Sequence, residues 1–302
     1  MKKFFGIFTA LVTPFKGNKI DFIALEKIIA MQINAKIDGL VIAGSTGEGT
    51  NLTIQEYEEL VFFVAEKISK YKSSEYNPKI ITTIASNSMH YALKLLDIAN
   101  KAPIDGIMAT TPSYLKPCEQ GLIEYFSQIS NKTNLDIIIY TVPSRTNVDF
   151  TDNAICKLAQ KSNIVGLKDS SADILRTLRL SDKLGENFSI LSGNDIDALA
   201  FYIYGAKGSV SVISNLYPET MKALFQLCRT NKWQEALKLQ KILLPLHQIL
   251  LKETNPIIIK YLLCSIKKIC SDDVRLPLVK KTIDNSEIIL NSIELLNNYF
   301  KR

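Results

Sequence analysis

Eight short apolar runs, amphipathic stretches between them and a purely helical tail predict an α/β protein, a (β/α)8 TIM barrel with a C-terminal helical domain. The runs occupy residues 6–12, 39–43, 80–84, 106–109, 136–140, 164–167, 189–192 and 208–212. Between them, stretches such as 21–35, 53–70, 88–100, 118–130 and 171–184 place apolar residues three and four apart, the spacing of one helix face. An open doubly wound sheet would use fewer strands, so this sheet is expected to close. From Trp233 onward the strand pattern stops. A barrel at 1–231 is therefore expected, followed by a domain at 232–302 of about three helices.

The first run follows Met1-Lys2-Lys3 and superficially resembles a secretory leader. Thr9, Thr13, Pro14 and Lys16 break it before a long apolar core develops, so it reads as a strand. The second leads into Gly44-Ser45-Thr46-Gly47-Glu48-Gly49-Thr50, whose glycines let the backbone turn while hydroxyl and amide groups face a ligand. Such a loop can cradle a carboxylate or be a plain turn. Residues 71–78 form a polar loop before the third strand, on the barrel face away from the chemistry.

The fourth run leads into Thr110-Thr111-Pro112-Ser113-Tyr114, and the fifth into Tyr140-Thr141-Val142-Pro143-Ser144-Arg145-Thr146. Each tyrosine reads either as rim packing or as a proton carrier. Arg145 reads either as a surface cation or, in a rigid proline-containing loop, as a bidentate carboxylate fork. The sixth run ends at Lys168 and is followed by Asp169-Ser170-Ser171, a helix-start signal. A lysine there either snorkels to solvent or, desolvated with a lowered pKa, is a nucleophile able to form an imine with a ketone. Catalytic groups of such barrels sit at the C-terminal strand ends, so Lys168, Tyr140, Arg145 and the hydroxyl loop share one mouth.

The 302 residues carry 36 Lys and Arg against 30 Asp and Glu, a net charge of +6 spread along the chain. No basic stripe is interleaved with aromatics, so a nucleic-acid role is not expected, while small anionic substrates suit the balance. Cys118, Cys156, Cys228, Cys264 and Cys270 are widely spaced without a C-x-x-C pair, and His90 and His247 are the only histidines. Neither a zinc site nor a disulfide scaffold is expected. With no apolar run of about 18 residues, no membrane association and a cytoplasmic location are expected.

Nearly the whole chain resembles the dihydrodipicolinate synthase / N-acetylneuraminate lyase family of pyruvate-dependent class I aldolases. The ordered blocks are Ala10-Leu11-Val12-Thr13-Pro14-Phe15, Gly44-Ser45-Thr46-Gly47-Glu48, Thr111-Pro112-Ser113-Tyr114, Val142-Pro143-Ser144-Arg145-Thr146, Gly166-Leu167-Lys168-Asp169, Glu253-Thr254-Asn255-Pro256 and Arg275-Leu276-Pro277-Leu278. Arg145 in its Val-Pro-Ser-Arg-Thr setting points to the synthase subgroup.

The resemblance implies condensation of pyruvate with L-aspartate 4-semialdehyde on the lysine and diaminopimelate route. Lys168 would form the imine with pyruvate, and Tyr140 would shuttle protons at the imine carbon. Ser45, where the family usually has threonine, would link Tyr140 to Tyr114, a tyrosine that the family donates across a dimer interface. Thr46 would bind the pyruvate carboxylate, Arg145 the aldehyde's carboxylate, and the Val210 carbonyl would face the site. The imine is the electron sink, so no metal or organic cofactor is implied. A homotetramer, a dimer of dimers, is implied as well. The competing readings are a family aldolase for a 2-keto-3-deoxy sugar acid or sialic acid, and a non-catalytic metabolite-binding barrel.

The chain departs from the family at Ser113 for tyrosine, Thr141 for asparagine and Asn147 for glycine, and residues 84–87 lack a usual glycine. The family's lysine-feedback positions match Gly49, Thr50, Ile54, Tyr57, Asn87, Tyr91 and Ser113, of which only Asn87 keeps the usual type. Weak or absent inhibition by L-lysine is expected, unless a neighbouring acid such as Glu56 rotates in.

Overall fold

Alternate residues along each strand run point to opposite faces, and both faces here are apolar, the pattern of a sheet buried on two sides. The computed structural model describes residues 4–282. Eight strands close into a parallel barrel: β1 (Gly6–Ala10), β4 (Gly39–Ile42), β5 (Lys79–Ile84), β6 (Gly106–Thr110), β7 (Asp136–Thr141), β8 (Ile164–Asp169), β9 (Ser189–Ser192) and β10 (Gly208–Ser211). Each pairs with the next in sequence, and β1 closes the ring against both β4 and β10. A two-stranded hairpin, β2 (Phe15–Lys16) with β3 (Lys19–Ile20), interrupts the first strand-to-helix connection and was not foreseen.

Phe8, Val41, Ile81, Met108, Ile138, Leu191 and Val210 fill the barrel interior. Their chain neighbours Ile7, Leu40, Ile80, Ile107, Ile139 and Ile190 pack outward on the helices. This period of two decides the register, because a one-residue slip would exchange the two faces.

The helices are α1 (Phe22–Asn34), α2 (Ile54–Ser69), α3 (Met89–Lys101), α4 (Glu119–Ser130), α5 (Pro143–Thr146), α6 (Asp152–Leu158), α7 (Leu175–Leu184), α8 (Ala198–Ile203), α9 (Pro218–Arg229), α10 (Trp233–Leu250) and α11 (Ile257–Ser265). Several begin where a short polar side chain satisfies free N–H groups: Asp21 caps α1, Ser88 caps α3, and Thr53 with Glu56 forms a reciprocal capping box on α2.

The helix start expected at Asp169-Ser170-Ser171 lies elsewhere. Asp169 is still in β8, in register with Ser192, and α7 begins only at Leu175. Its carboxylate accepts from the Ser171 N–H at 2.8 Å and lies 3.5 Å from the Arg176 guanidinium, so it organises the loop rather than a helix end.

Beyond α9, helices α10 and α11 pack back onto the barrel. Leu239, Leu243 and Leu246 of α10 and Ile258, Ile259 and Leu262 of α11 belong to the same apolar cluster as the barrel helices. The third helix expected at the C-terminus lies outside the described residues. The polar loop at 71–78 sits at the start of β5, where the Tyr76 hydroxyl donates to the Ile37 carbonyl at 3.0 Å, at the end opposite the C-terminal strand ends.

Candidate active site

Lys168 and Tyr140 are direct register partners on β8 and β7, so the backbone ladder alone sets them side by side. Both are buried, and the Lys168 Nζ lies 3.9 Å from the centre of the Tyr140 ring. Lys168 is inside the strand rather than just past it, which removes the freedom to snorkel. Burial pushes the Tyr140 phenol up, yet the Lys168 ammonium, the Ser170 hydroxyl and the Arg145 guanidinium together outweigh it and hold its pKa below the ordinary tyrosine value. Gly193, at the end of β9, is required by close approach: a β-carbon there would fall on the Ser170 hydroxyl and within 3.1 Å of the Lys168 Cε.

Behind this pair stands a charged layer. Arg176 grips Asp149 through two nitrogens at 3.1 and 2.7 Å, and Thr141 donates to the same carboxylate at 2.8 Å. The threonine that departs from the resembled pattern is thus fully used.

On the opposite wall, the loop after β4 folds back so tightly that a β-carbon on Gly49 would collide with the Ala43 carbonyl. The Thr13 hydroxyl donates to the Gly47 carbonyl at 2.7 Å and pins the turn from β1's side. Thr46 is buried, and its hydroxyl accepts from the Asn255 amide at 2.8 Å. The Arg145 guanidinium, on the short helix α5, donates to the Asn255 carbonyl at 3.3 Å.

Lys168, Tyr140, Ser45, Thr46 and Arg145 line one cavity of about 450 Å³. Ser45 and Arg145 also line a larger neighbouring cavity of about 800 Å³, so they stand at the partition between the two. A buried amine that becomes a nucleophile once deprotonated, a phenol with lowered pKa and two groups able to bind carboxylates suit imine formation with a small keto acid.

The family model for the dihydrodipicolinate synthetase family matches residues 3–294. The chain belongs to this family. It is 41% identical over 279 residues to the 4-hydroxy-tetrahydrodipicolinate synthase of Rickettsia bellii strain RML369-C, covering 92% of each chain. The solved 4-hydroxy-tetrahydrodipicolinate synthase of Methylacidiphilum fumariolicum SolV superposes with a TM-score of 0.92 at 36% identity, covering 98% of this chain and 96% of that one. The lysine-bound structure of the enzyme from Cyanidioschyzon merolae superposes with a TM-score of 0.92 at 27% identity, covering 98% and 99%.

Within this dihydrodipicolinate synthetase-family site, two expected residues stand apart. Tyr114, with a left-handed φ of 70°, is 88% exposed and lines neither cavity of its own chain. Val210 is buried in the barrel interior, and its neighbour Val212 lines the smaller cavity instead.

Three residues of the site had no assigned role in the sequence. Asn255 bridges Thr46 and Arg145, and its only signal was membership of the Glu253-Thr254-Asn255-Pro256 block. Asp195 lines the cavity while accepting from the Val212 and Ile213 N–H groups at 2.8 and 2.9 Å. His247 of α10 is buried beside it, and burial lowers its pKa against the pull of Asp195. Among the described residues no group of three or more His, Cys, Asp or Glu is placed to hold a metal. No described helix is long and apolar enough to cross a membrane.

The larger cavity is lined by Thr50, Asn87, Tyr91 and Ser113, together with the unforeseen His90. Gly49, Ile54 and Tyr57 do not line it. Tyr57 is buried under the wall, its hydroxyl donating to the Thr83 carbonyl at 3.3 Å and accepting from Thr82 at 2.8 Å. Glu56 is committed elsewhere, capping α2 and paired with the Arg275 guanidinium at 2.7 and 2.5 Å.

Proposed function

We propose that the protein is a 4-hydroxy-tetrahydrodipicolinate synthase, a Schiff-base lyase that condenses pyruvate with L-aspartate 4-semialdehyde in lysine and diaminopimelate biosynthesis. The observation that carries this reading is the buried Lys168 ammonium 3.9 Å from the Tyr140 ring, in a cavity that also holds Thr46 and Arg145. Lys168, once deprotonated, adds to the pyruvate carbonyl carbon, and Tyr140 supplies the protons that carry its oxygen away as water. The imine draws electrons from the neighbouring methyl group, which loses a proton to give an enamine. The enamine carbon adds to the aldehyde, whose oxygen takes up a proton relayed through Ser45. The substrate's own amine then attacks the imine carbon, expels Lys168 and closes the ring.

Thr46 holds the pyruvate carboxylate in this scheme, and Arg145 the carboxylate of the aldehyde. Arg145 favours a carboxylate-bearing aldehyde over a polyhydroxylated sugar partner. Tyr114 completes the proton relay from a second copy of the chain, for which its 88% exposure and its absence from the lining of the two cavities are the support. The exchange needs a dimer, and the family resemblance implies a dimer of such dimers. Five free thiols suit a reducing, cytoplasmic setting.

The test is a coupled assay with both substrates, alongside borohydride reduction in the presence of pyruvate. Turnover of aspartate semialdehyde and an adduct on the peptide containing Lys168 are expected. Adduct formation at another lysine, or turnover of sugar acids instead, would overturn the reading.

A further inference from the structure

The C-terminal segment reaches the hydroxyl loop by two routes, and only one of them touches the smaller cavity. The first is the bond from the Asn255 amide to Thr46. The second lies one turn into α11, where the Lys260 ammonium pairs with Glu48, two residues beyond Thr46. Both side chains are fully buried. Glu48 itself holds a left-handed φ of 50°, so its side chain leaves the loop at an angle that an ordinary extended residue would not provide.

Both charged groups are further committed. Lys260 donates to the Asp273 carbonyl at 2.9 Å and lies 4.1 Å from the centre of the Phe15 ring. The second oxygen of Glu48 accepts from the Arg275 N–H at 3.0 Å. The Arg275 guanidinium covers the same Phe15 ring at 4.4 Å and donates to the Asn51 carbonyl at 3.0 Å, just past the loop. A buried ion pair gains little net stability, since desolvation offsets its attraction, but it demands one geometry. Burial here pulls the Lys260 pKa down to about 8 even against Glu48, a sign that the charges are held at a cost.

We infer that the Glu48–Lys260 pair is a positioning device for the reaction: it sets the height of the Ser45–Thr46 loop over Lys168 and Tyr140, making the C-terminal segment part of the pyruvate-binding machinery. The inference rests on Thr46 being the ligand of the pyruvate carboxylate. Neither Glu48 nor Lys260 is required to touch substrate. They act through the loop backbone, whereas the Arg145 guanidinium is anchored on the Asn255 carbonyl rather than on either of them.

The test compares the parent enzyme with Lys260→Met and with Glu48→Gln/Lys260→Met. In each, the pyruvate concentration that half-saturates borohydride trapping at Lys168 is measured beside the steady-state KM for both substrates. Half-saturating pyruvate is expected to rise at least about tenfold in both variants, the scale of one misaligned charge-assisted hydrogen bond. The KM for the aldehyde should stay within a factor of about three. A merely structural role would instead lower the active fraction, so that kcat falls while both KM values hold. If the single variant does not fold, the double variant, which leaves no lone buried charge, carries the measurement. Unchanged pyruvate half-saturation in a folded variant overturns the positioning role alone, whereas a parent enzyme that traps no pyruvate overturns the proposed reaction with it.

Discussion

The two walls of the cavity are built by different means. On one, Lys168 and Tyr140 are neighbours in a parallel ladder, 28 positions apart in adjacent strands, and the backbone hydrogen bonds of β7 and β8 bring them together. On the other, Thr46 and Glu48 are held by side chains 209 and 212 residues away, Asn255 and Lys260. The first wall is as rigid as the barrel. The second is only as well placed as the C-terminal helices that clamp it. In the proposed reaction the ladder carries the imine chemistry, and the clamp holds the pyruvate carboxylate beside the Ser45 relay.

Breaking the ladder wall should have the largest effect. Lys168→Arg should abolish both borohydride trapping and turnover, because a guanidinium stays protonated and cannot attack a carbonyl. Residual trapping on the same peptide, read by mass spectrometry, would remove Lys168 from its role. Tyr140→Phe should lower kcat by roughly a hundredfold or more while leaving the pyruvate KM nearly unchanged.

Changes on the clamp wall should split by substrate. Asn255→Ala loses the 2.8 Å bond to Thr46 and should raise the KM for pyruvate about tenfold. Arg145→Ala should do the same for aspartate semialdehyde, by at least about tenfold. A collapse of pyruvate affinity in the arginine variant, with the aldehyde untouched, would reverse the two assignments.

A spectroscopic titration sharpens the ladder side further. Tyr140 ionises below the ordinary tyrosine range because cationic neighbours outweigh its burial. In Lys168→Met the desolvation stays and the Lys168 charge goes, so the tyrosinate absorbance of this residue should appear at higher pH than in the parent. The same pH midpoint in both would mean that the Lys168 charge does not act on the phenol. The lowered folded pKa also means that ionised Tyr140 favours the folded state as pH rises through its titration, a contribution that the methionine variant should lose.

The smallest expected effect is that of L-lysine. The larger cavity is lined by Thr50, Asn87, Tyr91 and Ser113; its one carboxylate among the described residues, Glu48, is already paired with Lys260, and Glu56 with Arg275. Inhibition should be weak or absent in the steady-state assay. Half-inhibition at submillimolar lysine would show that a nearby acid such as Glu48, which also lines this cavity, can be recruited.

Much of this was legible in the chain because it depends on local rules. Strand runs and helix faces follow from periods of two and near 3.6, and caps such as Asp21 and Thr53 announce helix starts from the residue type alone. Asp169 shows where that rule fails. The same side chain that could cap a helix is held in β8 by a buried guanidinium seven positions on, a contact that no local signal encodes. The β2–β3 hairpin escaped for a different reason: two-residue strands are too short to carry a period.

By itself the sequence determined the barrel and the family, and it set Lys168 and Tyr140 at one mouth, because strand ends in a closed parallel barrel converge there whatever else the chain does. Only the tertiary structure decided how the hydroxyl loop is held, that Asn255 joins Thr46 to Arg145, and that Lys260 meets Glu48 out of water. Those contacts depend on how α10 and α11 fold back across the barrel mouth. That packing is a sum of many nonlocal apolar contacts, which no short window of residues contains.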